Sequence, residues 1–145
     1  RSRGTFAGGS GDDLLQSTDV WFGDTYLFEI GDGKDVINDL GYMDTDFIIF
    51  GDGINADMIW FQKSGSDLEV TRIGSTDGLS IKNWYANSFQ QIERFRSGDG
   101  KILSNTNVDA LVSAMAALTP PSFGQTTLSL NYSSALNSLI ITNWL

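Results

Sequence analysis

The sequence contains no cysteine and no histidine. Disulfides, thiol nucleophiles, His-based triads and the common zinc sites are thereby excluded. If the protein works outside the cell, something other than disulfides must stiffen it. Proline is scarce as well, with only Pro120 and Pro121, and basic residues number nine against eighteen acids. A net charge of -9 makes nucleic acid an unsuitable partner. No apolar run approaches the ~20 residues of a membrane span, the longest being pieces such as Phe47-Ile48-Ile49-Phe50, and none reads as an N-terminal signal peptide. With 145 residues, 41% of them hydrophobic, the chain suffices for one core, or one core with an appendage.

What is present is unevenly placed. Residues 1–60 hold twelve acids against three bases, whereas residues 61–145 hold six of each. Fifteen of the eighteen acids are Asp. A solvated helical surface favours Glu, while tight cation-binding loops favour the shorter Asp. The acidic part is also rich in glycine, as in Gly8-Gly9-Ser10-Gly11-Asp12-Asp13-Leu14-Leu15-Gln16. So bare a backbone turns with φ > 0 and leaves peptide carbonyls and carboxylates uncovered, which suits a hard cation that takes six to eight oxygens. A flexible Gly/Ser connector ending in an Asp cap, or an acidic face kept for solubility, would use the same residues.

A repeat favours the first reading. Asp13, Asp24, Asp35, Asp46 and Asp57 follow one another at steps of eleven, each with an apolar residue two positions on: Leu15, Tyr26, Ile37, Ile48 and Ile59. Each unit joins a turn to a short strand, the pattern of a parallel solenoid.

GGSGDDLLQ fits the nonapeptide G-G-x-G-x-D-x-U-x of the RTX (repeats-in-toxin) family, and Ile30–Asn38, IGDGKDVIN, fits from its second glycine onward. The continuation through DTDFIIFGDGINADMIWFQKSGSDLEVTRIG and QQIERF resembles the degenerate C-terminal, haemolysin-type calcium-binding related region of that family, and VDALVSAMAALTPP and LNSLIITNWL are similar to its tails. The resemblance implies a mainly β protein, a right-handed parallel β-roll with degenerate repeats and a C-terminal capping helix. It implies Ca²⁺ between a turn and the next but one. Asp13 would then stack on Asp35 and Asp24 on Asp46, with Gly9, Gly11, Gly31 and Gly33 as carbonyl donors and Asp39 and Asp44 as further ligands. Val20-Trp21-Phe22 lacks the pattern's glycines, which sets the Asp24 site apart from the Asp13/Asp35 site.

Residues 1–53 are thus expected to form the calcium-binding turns, 54–103 a metal-free continuation of the roll, and 104–145 a cap that doubles as a type I secretion signal. Strands are expected at Met58–Lys63, Asp67–Ile73, Leu79–Trp84 and Ile92–Arg96, with Asp57 and Asp99 serving turns. One helix is expected from Val108, Leu111, Val112, Met115 and Leu118, started by Asn107 and ended by Pro120-Pro121. A single charge, Asp109, remains after Lys101. The resemblance implies a secreted, extracellular, monomeric module that is not an enzyme and whose partner is a type I secretion apparatus. A carbohydrate-binding or adhesive β module, using Trp60, Phe61, Trp84 and Phe95 as a platform, is the alternative.

Overall fold

Turn and strand alternate through the acidic half in the computed structural model, which describes residues 5–7, 9–17, 23–39, 45–86, 90–118 and 130–145. The strands are β1 (Thr5–Ala7), β2 (Leu14–Ser17), β3 (Thr25–Phe28), β4 (Lys34–Asp39) and β5 (Phe47–Phe50). They alternate between two sheets. β1, β3 and β5 pair in parallel in one, and β2 and β4 pair in parallel in the other. Leu14 lies opposite Val36 and Thr25 opposite Phe47, so partners are 22 residues apart, twice the eleven-residue step. Alternate residues of β3, β4 and β5 point inward. In register they form buried columns: Leu15, Ile37 and Ile81 in one sheet, Tyr26, Ile48 and Phe95 in the other. Each such side chain contributes about 1.5–3 kcal/mol by leaving water.

Beyond residue 54 the pairing becomes mixed. β6 (Ile59–Ser64), β7 (Asp67–Arg72) and β8 (Gly78–Ile81) form an antiparallel meander, and β8 pairs in parallel with β4. β9 (Arg94–Arg96) pairs in parallel with β5 and antiparallel with β10 (Ile102–Ser104). The sheet orders are β1-β3-β5-β9-β10 and β2-β4-β8-β7-β6. Within residues 54–103, β8 and β9 extend the parallel stack while β6, β7 and β10 pair antiparallel. A two-residue link, Gly65-Ser66 with Gly65 at φ 60°, joins β6 to β7, and so short a connection permits only antiparallel neighbours. β8 stops at Ile81 rather than Trp84 because the chain turns there, with Asn83 at φ 58°.

Among the described residues the tail holds two helices where one was expected: α1 (Asn105–Ala116) and α2 (Leu130–Asn143). Ser104, not Asn107, is the N-cap residue just before α1. Val108, Leu111 and Met115 are buried as their spacing implies, and α1 lies along β6, the outermost strand of its sheet. An exposed strand edge invites pairing with other chains, and α1 covers this one. In α2, Leu136 and Ile140 at i, i+4 and Trp144 just beyond the helix are buried, with Trp144 6.2 Å from Phe61 between ring centres. The backbone N–H of Leu145 donates to the Ile102 carbonyl at 2.7 Å, tying the tail to β10.

Trp60, Phe61, Trp84 and Phe95 are all buried, and the Phe61–Phe95 and Trp84–Phe95 rings meet at 5.7 and 5.8 Å. They build the core and make no exposed sugar platform. No helix among the described residues is long and apolar enough to cross a membrane.

The two faces of α2 give a stability test. Leu136→Ala should cost about 2–5 kcal/mol in denaturant unfolding. Ile141→Ala, at a position 62% exposed, should stay within about 0.5 kcal/mol. Equal losses would contradict the packing of α2.

Candidate metal sites

The turns between strands lie at two edges, and acidic residues stack along both. At the first edge the turn of Gly9–Asp13 lies on that of Gly31–Asp35. Asp13 N–H donates to Asp35 Oδ1 at 2.9 Å, Asp13 O accepts from Val36 N–H at 2.8 Å, and Lys34 N–H donates to Asp12 Oδ1 at 2.9 Å. The approach demands glycine. Gly33 has φ 82°, and a Cβ there would stand 2.9 Å from both Gly11 O and Asp12 Oδ1.

Asp35 is buried in this stack. Its Oδ2 and that of Asp13 are buried with no hydrogen-bond partner among the described residues. Burial pushes the Asp35 carboxyl above the usual range; the Asp13 N–H opposes the shift, and the charges of Asp13, Asp32 and Asp12 add to it. Two buried acceptors facing neighbouring acids are a destabilising arrangement until a cation or proton joins them. Of the expected carbonyl donors, Gly33 is turned the other way, since its oxygen accepts from Gly78 N–H at 2.9 Å. Gly9, Gly11 and Gly31 keep positive φ, at 72°, 94° and 89°.

The second edge is more enclosed. Asp24, Asp39 and Asp46 are 1%, 0% and 1% exposed, and one carboxylate oxygen from each lies within 4.8 Å of the others. Oxygens bound to one Ca²⁺ at 2.3–2.6 Å cannot be more than about 5 Å apart, so this spacing fits a shared ion. Asp24 N–H donates to Asp46 Oδ1 at 2.7 Å, and Asp46 N–H to Glu93 Oε1 at 2.8 Å. Tyr26, rooted in the core, donates its hydroxyl to Asp39 Oδ2 at 2.9 Å. Burial, then the charge and hydrogen bond of Asp39, then Asp24 and Asp46, push the Tyr26 hydroxyl well above its ordinary range and keep it protonated as a donor. Here too the turns touch: a Cβ on Gly23 would fall on the Thr45 carbonyl oxygen. Asp44 and Val20-Trp21-Phe22 lie outside the described residues.

Elsewhere, Asp57 sits exposed in the short 3-10 turn Ala56–Met58, and Asp99 Oδ1 accepts from Ala56 N–H at 3.2 Å and from the Ser97 hydroxyl. Both belong to turns. Two acids that the sequence reading did not single out are tied to the ligand turns. Asp77 accepts from Gly31 N–H and Gly33 N–H, each at 3.0 Å, and is paired with Arg72 Nη2 at 3.0 Å. Glu93 bonds Asp46 as above. Burial pushes Asp77 up, but the Gly31 N–H, Arg72 and the Gly33 N–H together outweigh it and hold the carboxyl below the usual range. The GSTDG turn was a visible signal for Asp77; nothing in the sequence marks Glu93.

A family model described as "Haemolysin-type calcium binding protein related domain" matches residues 67–107. Over 93 residues the chain is 30% identical to the "Iron-regulated protein FrpA" of Neisseria meningitidis serogroup C, an alignment covering 61% of this chain and 8% of that protein. Residues 67–107 are therefore similar to the haemolysin-type calcium-binding related domain, and the chain spans only a small part of the relative's length. The matched segment contains Asp77 and Glu93 but none of the candidate ligands, all of which lie before residue 47.

The opposite shifts of Asp35 and Asp77 give a signed pH dependence. Between the unfolded carboxyl pKa near ~3.9 and the raised folded value, folded Asp35 keeps a proton that the unfolded chain has released, so its contribution to stability falls as pH rises through that window. Asp77 contributes stability above ~3.9 that is lost as pH falls through its lowered folded value. In chelator at pH 7, Asp35→Asn should therefore melt above the parent, and Asp77→Asn below it. A lower melting temperature for calcium-free Asp35→Asn would contradict the burial cost.

Proposed function

We propose that the chain is a calcium-dependent folding module of an RTX-type secreted protein, non-enzymatic in itself, in which Ca²⁺ binds between stacked turns of a right-handed parallel β-roll. The observation that carries this reading is the carboxylate pair at the first edge, half-buried Asp13 and buried Asp35, whose Oδ2 atoms are shielded from water and have no hydrogen-bond partner among the described residues. The buried group of Asp24, Asp39 and Asp46 at the other edge supports it, as does the haemolysin-type calcium-binding related segment. Asp13 and Asp35 would hold one ion with carbonyls of the glycine turns; Asp24, Asp39 and Asp46 would hold a second, with Asp44 a further candidate.

Calcium has a physical role here rather than a chemical one. Without it, twelve acids against three bases in residues 1–60 repel one another and oppose compaction. Bound to the folded state alone, Ca²⁺ adds its binding free energy to folding, about 2.7 kcal/mol per site at a hundred times the dissociation constant. An extended chain in low-calcium cytosol suits passage through a type I exporter, and folding follows outside. The likeness of the closing segment to the tails of RTX proteins such as the adenylate cyclase toxin supports its reading as the export address.

Two experiments test this. Calcium titration followed by circular dichroism and melting should show stabilisation of several kcal/mol that magnesium does not reproduce, since Mg²⁺ demands a small octahedron and keeps its waters. Asp24→Ala or Asp35→Ala should each remove part of it and Asp57→Ala none. Identical melting in chelator and in millimolar calcium would end the calcium reading. For the address, deletion of residues 119–145 should abolish export in cells carrying a cognate type I exporter. Undiminished export would remove that role.

A further inference from the structure

The two acids that bridge from the family-matched segment to the ligand turns do so in the same way at opposite edges. We propose that Asp77 and Glu93 are positioning residues, each holding one ligand turn in metal-binding shape without touching the ion; the proposal rests on the calcium reading above.

In a trans peptide the N–H of one residue and the carbonyl of the residue before it point in opposite directions. Whatever fixes the N–H therefore aims the carbonyl. At the first edge, Asp77 accepts the N–H groups of both Gly31 and Gly33 at 3.0 Å. β4 lies between β2 and β8, and the Gly33 turn also packs on Gly11, so the layer of Asp77 is on one side of this turn and that of Asp13 on the other. The carbonyls of Ile30 and Asp32 are thereby turned toward the Asp13 layer. The Gly33 carbonyl points the other way and accepts from Gly78 N–H in the layer of Asp77. Arg72, 3.0 Å from Asp77 Oδ2, balances the charge of this anchor, so it adds little repulsion to the acids above.

At the second edge Glu93 Oε1 accepts the N–H of Asp46 at 2.8 Å, which aims the Thr45 carbonyl the opposite way. That carbonyl does face the turn of Asp24: its oxygen occupies the place a Gly23 Cβ would take. The same bond holds the backbone of Asp46, whose Oδ1 in turn accepts the N–H of Asp24. Glycine turns lose much conformational entropy on ordering, and a turn already held loses less of it when an ion binds. Partners behind metal ligands are typically worth 10–100-fold in affinity.

Calorimetric calcium titration of the full chain tests the assignment. Asp77→Ala should weaken one class of site by about 10–100-fold and leave the other unchanged, and the effect should vanish in an Asp35→Ala background. Glu93→Ala should weaken the other class and lose its effect in an Asp46→Ala background. Glu93→Gln keeps an acceptor oxygen and should restore affinity. Variants that weaken both classes alike, or Gln and Ala replacements of Glu93 with equal affinities, would overturn the proposal by reducing both residues to general stabilisers. Should Asp77→Ala fail to fold even in saturating calcium by circular dichroism, the Glu93 pair decides. A parent chain that binds calcium while every variant matches it would overturn the positioning role alone; a parent that binds none would overturn the calcium reading with it.

Discussion

The arrangement rests on one recurring bond: a carboxylate accepting the backbone N–H of the acidic residue one layer away. Asp35 takes the N–H of Asp13, Asp46 that of Asp24, and Glu93 that of Asp46. Each such bond to a charged acceptor contributes about 1.5–3 kcal/mol and brings the layers into register. At Asp35 and Asp46 it also carries negative charge into places that water does not reach, where a buried ion costs several kcal/mol unless paired. Register and charge therefore come from the same atoms, and a cation between the layers removes the penalty while keeping the register.

The two halves of the chain divide this work. All the excess charge lies before residue 61, while the meander, β9, β10 and the helices supply most of the closed apolar core. The calcium-related likeness falls on that second half, at residues 67–107. The segment is tied to the acidic turns: through Asp77 and Glu93 it reaches into both edges. Leu79 lies opposite Asp35, so the column of acids at the first edge gives way to an apolar residue where the meander begins.

The edges are not equivalent. The first is built from glycine turns with exposed neighbours such as Asp12 and Lys34, and its buried acceptors lie just beneath the surface. The second is joined to the core through Tyr26, which stacks on Phe6 at 5.2 Å and bonds Asp39 with its hydroxyl. Charge at the second edge is thus felt directly by the packing between the sheets. The glycine-poor Val20-Trp21-Phe22 approach had set this edge apart on turn chemistry, whereas the burial and convergence of Asp24, Asp39 and Asp46 make it the more enclosed group.

Local periodicity alone determined much. The eleven-residue step and the apolar residue two places after each Asp were legible as turn and strand, and Leu15, Tyr26, Ile37, Ile48 and Ile59 are all buried, because alternation along a strand is a property of neighbouring residues. The buried face of α1 was legible for the same reason. What the sequence could not decide was which distant groups meet. The fold-back of β6, β7 and β10, the second helix, the meeting of Asp39 with Asp24 and Asp46, and the reach of Asp77 and Glu93 into turns more than forty residues away all depend on where the chain reverses and which layers it brings into contact. A carboxylate's partner is set by that contact, and only the tertiary structure contains it.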